Sequence, residues 1–224
     1  MNIYTNSVNE YKCNDFKGSR ILKEFQEYYV LALLKFYFPD RFKNAIKGES
    51  PDIQSDDFGV EVTIADRENE MKVASNMKKK KIKKGIYNNI TVTDSGGIIR
   101  SQSGGGFNDE IEKERIKKII KRKNKSISEY KNKYVGNTEL SILFTDIQVS
   151  DMYYISKEVA RQYINDEEGL IKTIYLIFPD SFFLLGMDCK YNSFVIDKDM
   201  KRRLQKIANM TAKGTIDLKN EEWK

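Results

Sequence analysis

Glu49-Ser50-Pro51-Asp52-Ile53-Gln54-Ser55-Asp56-Asp57-Phe58-Gly59-Val60-Glu61-Val62-Thr63-Ile64 holds a chain reversal between two extended segments. Ser55 to Gly59 is built from the residues that tighten turns, and Val60-Glu61-Val62-Thr63-Ile64 alternates with the two-residue period of a strand. Two short strands joined by a tight turn are the simplest reading. Asp52 and Glu61 then lie on adjacent strands with eight residues, 53 to 60, between them, so their carboxylates can converge.

Before this block, Ser19 can cap a helix carrying Ile21, Leu22, Phe25, Tyr28, Tyr29, Ala32, Leu33 and Phe36 at helical spacing, and Pro39 ends it. After it comes a basic helical segment from about Asp66 to Lys84, then a stretch from Ser95 to Gly106 whose glycines and serines predict a flexible loop. Asn108 or Asp109 can cap a second long helix with Ile111, Ile116, Ile119 and Ile120 on its buried side, expected to cross over a sheet. Glu139 to Asp146 suits a central strand, Ser156 to Tyr163 a short helix, and Ile171 to Phe178 a second strong strand. Phe182 to Leu185 and Ser193 to Ile196 read as edge strands, and Asp199 to Met210 as a closing helix. With no repeat and no linker, all 224 residues are expected to form one α/β domain with a mixed sheet flanked by helices.

Composition removes whole classes of chemistry. Histidine is absent, so Ser-His-Asp and Cys-His hydrolases, HNH-type nucleases and the usual zinc sites cannot be assembled. Catalysis must use carboxylates, lysine, tyrosine or a metal held by oxygen. Cys13 and Cys189 match no CxxC spacing and point to a reducing compartment. The N-terminal residues lack a secretory pattern, and no apolar run approaches the roughly 20 residues that span a bilayer. The expectation is a cytoplasmic protein without a membrane partner. Lys+Arg 39 against Asp+Glu 33 gives a formal charge of +6, which favours polyanionic partners and equally suits a solvated lysine-rich surface.

Paired carboxylates at one sheet edge, helped by the backbone carbonyl of Val62, are the hard oxygen donors that Mg²⁺ takes, with Mn²⁺ as its substitute. At these residues the sequence resembles the PD-(D/E)XK nuclease superfamily, whose core runs helix, three-stranded meander, crossover helix, strand. The predicted elements come in that order. The resemblance implies a restriction-endonuclease-like fold, metal binding by Asp52 and Glu61, and a Mg²⁺-dependent endonuclease acting on DNA. It also offers a first-helix carboxylate as a further ligand, with Glu27 ahead of Glu24. Cutting both strands would need two active sites, which a homodimer could supply, while the sequence leaves the oligomeric state open.

The departure from that pattern is Thr63, where the superfamily usually has a lysine. Some members carry other residues there, and others recruit a lysine from the following helix. Lys72 is therefore a candidate, as are Lys78, Lys79, Lys80 and Lys81, which can also contact phosphates, as can the basic helix from Lys113 to Lys125. The alternative is a nucleic-acid-binding module that keeps the fold without turnover. In a third reading Asp52 and Glu61 are ordinary hairpin residues. Pro179-Asp180 with Asp188-Cys189-Lys190 spells the same motif with its lysine, but only Tyr191 to Lys224 follow, too little for a crossover and a final strand. Gly85-Ile86-Tyr87 and Tyr134-Val135-Gly136 echo the GIY-YIG nucleases, yet 46 residues, 88 to 133, separate them.

Overall fold

The computed structural model describes residues 19–65, 85–87, 90–92, 98–100, 109–130, 134, 136–144, 150–164, 169–186 and 191–218. In chain order these form α1 (Ser19–Tyr37), β1 (Ile46–Lys47), β2 (Ile53–Gln54), β3 (Gly59–Ile64), β4 (Gly85–Tyr87), β5 (Ile90–Val92), β6 (Ile98–Arg100), α2 (Asp109–Ser128), β7 (Thr138–Leu143), α3 (Ser150–Ile164), β8 (Thr173–Ile177), β9 (Ser181–Gly186), β10 (Tyr191–Val195) and α4 (Lys198–Ala212). Among the described residues, no helix is long and apolar enough to cross a membrane.

Seven strands make one mixed sheet in the order β1-β2-β3-β7-β8-β9-β10. The first three form an antiparallel meander, β7 and β8 continue it in parallel, and β9 and β10 close it antiparallel. A parallel neighbour cannot be reached by a tight turn, so residues 65–137, which include α2, must cross over between β3 and β7. Strand alternation then assigns the faces. Val60, Val62, Tyr175, Ile177 and Phe182 pack with α1 and α4, whereas Leu140, Ile142, Ile174, Leu176 and Phe183 pack with α2 and α3. The protein is thus a mixed α/β structure with helices on both faces of a seven-stranded sheet.

Local chemistry explains most boundaries. α1 stops at Tyr37, one residue short of the position before Pro39, which disfavours helical backbone. α4 begins at an N-cap, Asp197, whose carboxylate accepts from the Asp199 and Met200 amides at 3.0 and 2.8 Å. Between β2 and β3, the Ser55 amide donates to the Phe58 carbonyl at 2.9 Å, and the Tyr134 hydroxyl donates to the Ser55 carbonyl at 3.0 Å.

Several expectations change. The meander has three strands rather than two, because Ile46 and Lys47 pair with Gln54 and Ile53. Asp52 sits just before β2 rather than within a strand. β9 is an interior strand, not an edge, since β10 pairs outside it. α3 starts at Ser150, six residues before the expected Ser156. The glycine-rich stretch 95–106 contains a strand, because β-branched Ile98 and Ile99 extend the β4–β5 pair into a second, three-stranded antiparallel sheet. The rest of that stretch lies outside the described residues, as does the basic segment 66–84.

Gly59 opens β3 against Pro51, and a Cβ added there would stand 2.0 Å from Pro51 Cγ. Only glycine permits that approach, which sets the loop ending in Asp52 against the strand that carries Glu61. Gly59→Ala should therefore destabilise the protein by about 1–3 kcal/mol, the usual cost of overpacking, read as a lower urea midpoint at an unchanged slope. An unchanged midpoint would show that the Pro51 loop moves aside freely.

Candidate active site

Ile53 pairs with Val60, so continuing the antiparallel register by one step sets Asp52 opposite Glu61. Both carboxylates are buried. A carboxylate out of water needs donors, and each of these has them. Asp52 Oδ2 accepts from the Val62 amide at 2.9 Å, and Lys23 Nζ approaches Oδ1 at 3.4 Å. Glu61 Oε2 is paired with Lys123 Nζ at 2.5 Å, and Glu61 Oε1 accepts from the Tyr130 hydroxyl.

A third buried carboxylate comes from α1. Glu27 lies between Lys23 Nζ at 3.1 Å from Oε1 and Lys47 Nζ at 3.1 Å from Oε2. Its Oε1 has an ion pair but no hydrogen bond among the described residues. Three carboxylates on α1, the β2 approach and β3 thus face three ammonium groups from α1, β1 and α2. Among the described residues, no group of three or more His, Cys, Asp or Glu side chains is arranged to hold a metal ion.

The electrostatics follow from this crowding. Burial pushes the Asp52 pKa up, an effect that the Val62 amide, Lys123 and Lys23 oppose and the neighbouring Glu27 charge reinforces. Contact with Glu27 raises the Lys23 pKa against a smaller opposing effect of burial. The Tyr130 hydroxyl is pushed up by burial and by its hydrogen bond to Glu61, so it remains a donor at any physiological pH.

Of the residues singled out from sequence, Asp52, Glu61 and Glu27 come together here. Val62 contributes its amide to Asp52, a contact the sequence does not reveal. Thr63 lies on β3 two residues beyond Glu61, buried at 7% exposure and without charge. Lys72 and Lys78 to Lys81 lie outside the described residues, as do Cys13, Asp188, Cys189 and Lys190. Asp180, from the second motif string, is exposed at the β8–β9 turn. Tyr134 of the GIY-YIG echo anchors the β2–β3 turn, and Gly136 takes a left-handed conformation with φ of 81°.

Sequence reasoning missed Lys23, Lys47, Lys123 and Tyr130. A signal for two of them is present. Ile116, Ile120, Lys123, Ile127 and Tyr130 recur at intervals of four, three, four and three, the stripe of one helix face. Ile116, Ile120 and Ile127 on that stripe are fully buried, so a lysine among them must meet a partner in the interior.

Outside this cluster, the α1 face of the sheet holds another buried acid, Glu139, which is paired with Arg41 at 2.5 Å and accepts from the Tyr175 hydroxyl at 2.7 Å. Arg41 lies over the Phe58 ring at 4.4 Å from its centroid. Both oxygens of Glu139 are occupied by neighbours, which suits a structural tie between the β2–β3 turn and β7. No protein-family model, no curated protein and no solved structure matches the chain at a significant level.

Proposed function

We propose that this protein is a metal-dependent endonuclease that hydrolyses phosphodiester bonds in DNA, built on a restriction-endonuclease-like core. The observation that carries the reading is the facing pair Asp52 and Glu61, buried at the β2–β3 junction beside the α1 carboxylate Glu27. The chain order supports it: a helix, an antiparallel three-stranded meander, a crossover with α2 and a parallel strand follow one another as the superfamily's core requires.

The donor chemistry fits a hard divalent cation. Asp52 and Glu61 would hold it, with the Val62 carbonyl and Glu27 as further oxygens, and Glu27 Oε1 is buried beside the largely exposed Lys23. Mg²⁺ bound there would acidify a water and neutralise charge on the phosphodiester. The chain's own residues prepare the site. The Val62 amide orients Asp52, Tyr130 and Lys123 orient Glu61, and Lys23 holds positive charge between Asp52 and Glu27. Lys78 to Lys81 follow β3 in sequence and would contact the DNA backbone, adding affinity that falls with salt. A homodimer would supply the two sites needed for double-strand cutting, and the cysteine usage suits the cytoplasm.

Thr63 favours a second reading, a DNA-binding module that keeps the fold without turnover. Incubation of the purified protein with supercoiled plasmid and Mg²⁺ separates the two. Nicking that stops with EDTA supports the enzyme, and salt-sensitive retention of uncut DNA supports the module.

Metal binding has its own signature. Calorimetry should detect Mn²⁺ in the parent and lose it in Asp52→Ala and in Glu61→Ala; unchanged affinity in both variants would show that these carboxylates hold no ion.

Asp52→Asn should separate function from stability. Because burial raises the Asp52 pKa above its unfolded value, the folded chain binds that proton more readily than the unfolded chain. The ionised group therefore costs stability above the unfolded pKa, and that cost fades as pH falls through the folded pKa. Metal-free Asp52→Asn should melt higher than the parent at neutral pH, with the gap closing in acid, while losing Mn²⁺ binding. A variant that melts lower at neutral pH would mean that the Lys23 and Lys123 charges outweigh the burial of Asp52.

A further inference from the structure

We infer that Lys123 supplies the ammonium group that Thr63 lacks, contacting the scissile phosphate, and that Tyr130 is the positioning residue that holds Glu61 for it. The inference rests on the nuclease reading above and assigns a role that reading leaves vacant.

Lys123 is costly to place by packing rules. It occupies an apolar stripe between Ile120 and Ile127, where an aliphatic residue would gain burial without desolvating a charge or freezing a long side chain. Its side chain is nevertheless only 18% exposed and ends 2.5 Å from Glu61 Oε2. Its charge also reaches Asp52, whose pKa it lowers against the effect of burial. One ammonium therefore serves both members of the carboxylate pair.

The other two lysines of the cluster are less suited. Lys23 bridges Glu27 and Asp52 from a side chain that is 67% exposed, and Lys47 is held by Glu27 and lies 5.9 Å from the centre of the Tyr28 ring. Neither contacts Glu61. Glu61 and Thr63 share one face of β3 by alternation, and that face is the one α2 covers. Lys123 thus brings a positive charge from the helix to the side of the strand where residue 63 has none.

Tyr130 completes the arrangement. Its ring packs on the α2–α3 side of the core, and its hydroxyl donates to Glu61 Oε1, leaving Oε2 to Lys123. With each oxygen given a separate donor, the carboxylate has one orientation.

During hydrolysis the water oxygen forms a bond to phosphorus, the bond from phosphorus to the leaving sugar oxygen breaks, and the displaced water proton passes through solvent to that oxygen. Lys123 takes no part in the proton transfer, and its ammonium stabilises the negative charge that gathers on the phosphate oxygens. Preorganised charge of this kind acts on the transition state more than on binding.

The test compares the parent with Lys123→Met, Lys123→Gln, Tyr130→Phe and Lys72→Met, after thermal melting has confirmed folding. Lys123→Gln keeps a donor for Glu61 while removing the charge, so it tests the charge even if Lys123→Met fails to fold. Single-turnover plasmid cleavage should fall by about 100-fold in Lys123→Gln, with DNA affinity within about 3-fold of the parent. Mn²⁺ affinity, read by calorimetry, should rise in the same variant because an ammonium no longer competes for Glu61. Tyr130→Phe should slow cleavage and weaken Mn²⁺ binding without altering DNA affinity. A parent that binds Mn²⁺ and cuts DNA, with Lys123→Gln matching it in both, overturns this assignment and leaves the nuclease reading standing. Loss of turnover on Lys72→Met but not on Lys123→Gln does the same. A parent that neither binds Mn²⁺ nor cuts DNA removes the nuclease reading and this assignment together.

Discussion

A carboxylate withdrawn from water must be compensated by donors at fixed positions, and Glu61 imposes that requirement on the middle of this structure. It lies on β3, a strand with the meander on one side, β7 on the other and helices over both faces. At 5% exposure it has little access to water. The compensation comes from Lys123 near the end of α2 and Tyr130 just beyond it, so the register of that helix over the sheet and the burial of Glu61 depend on each other. Arg115, earlier on the same helix, donates to the Ala65 carbonyl just beyond β3 at 2.5 Å and ties the helix to the strand at a second point.

The same constraint is met in the same way on the opposite face, by one cation and one tyrosine hydroxyl. Glu139 receives Arg41 and Tyr175, and the arrangement closes on itself. Around Asp52 and Glu27 the compensation is looser. Lys23 is largely exposed and sits between two carboxylates. Glu61 and Glu139 each have a donor for both oxygens, whereas Asp52 and Glu27 share one largely exposed ammonium that another cation would replace at less cost. This contrast separates Asp52 and Glu27, at the β2–β3 junction and on α1, from Glu139, where β7 meets β3.

Much of the architecture was legible in local pattern. The α1 stripe, the Pro39 stop, the Val60 to Ile64 alternation and the apolar runs of β7 and β8 all appear as elements because period and breaker residues act over a few positions. β1 was not legible, since two residues carry no periodicity and Ile46-Lys47 becomes a strand only by pairing with β2. Nor was the interior place of β9, which depends on β10 folding back outside it. β6 was hidden by the glycines around Ile98 and Ile99, because glycine runs signal a loop and two isoleucines carry too short a strand signal against them.

The amino-acid sequence by itself determined the chemical means available: no imidazole, a carboxylate pair at Asp52 and Glu61, an uncharged residue at Thr63 and many lysines. Composition and short spacing suffice for that, because they set which groups exist and which lie near one another along the chain. Only the tertiary structure decided which lysines answer the carboxylates. Lys123 is 62 residues from Glu61, and Tyr130 is 69. One ammonium among the many on α2 is selected by the angle at which the crossover helix lies over β3, and that angle is set by packing Ile116, Ile120 and Ile127 against the sheet. Packing of that kind is a property of two surfaces meeting, and neither segment carries it alone.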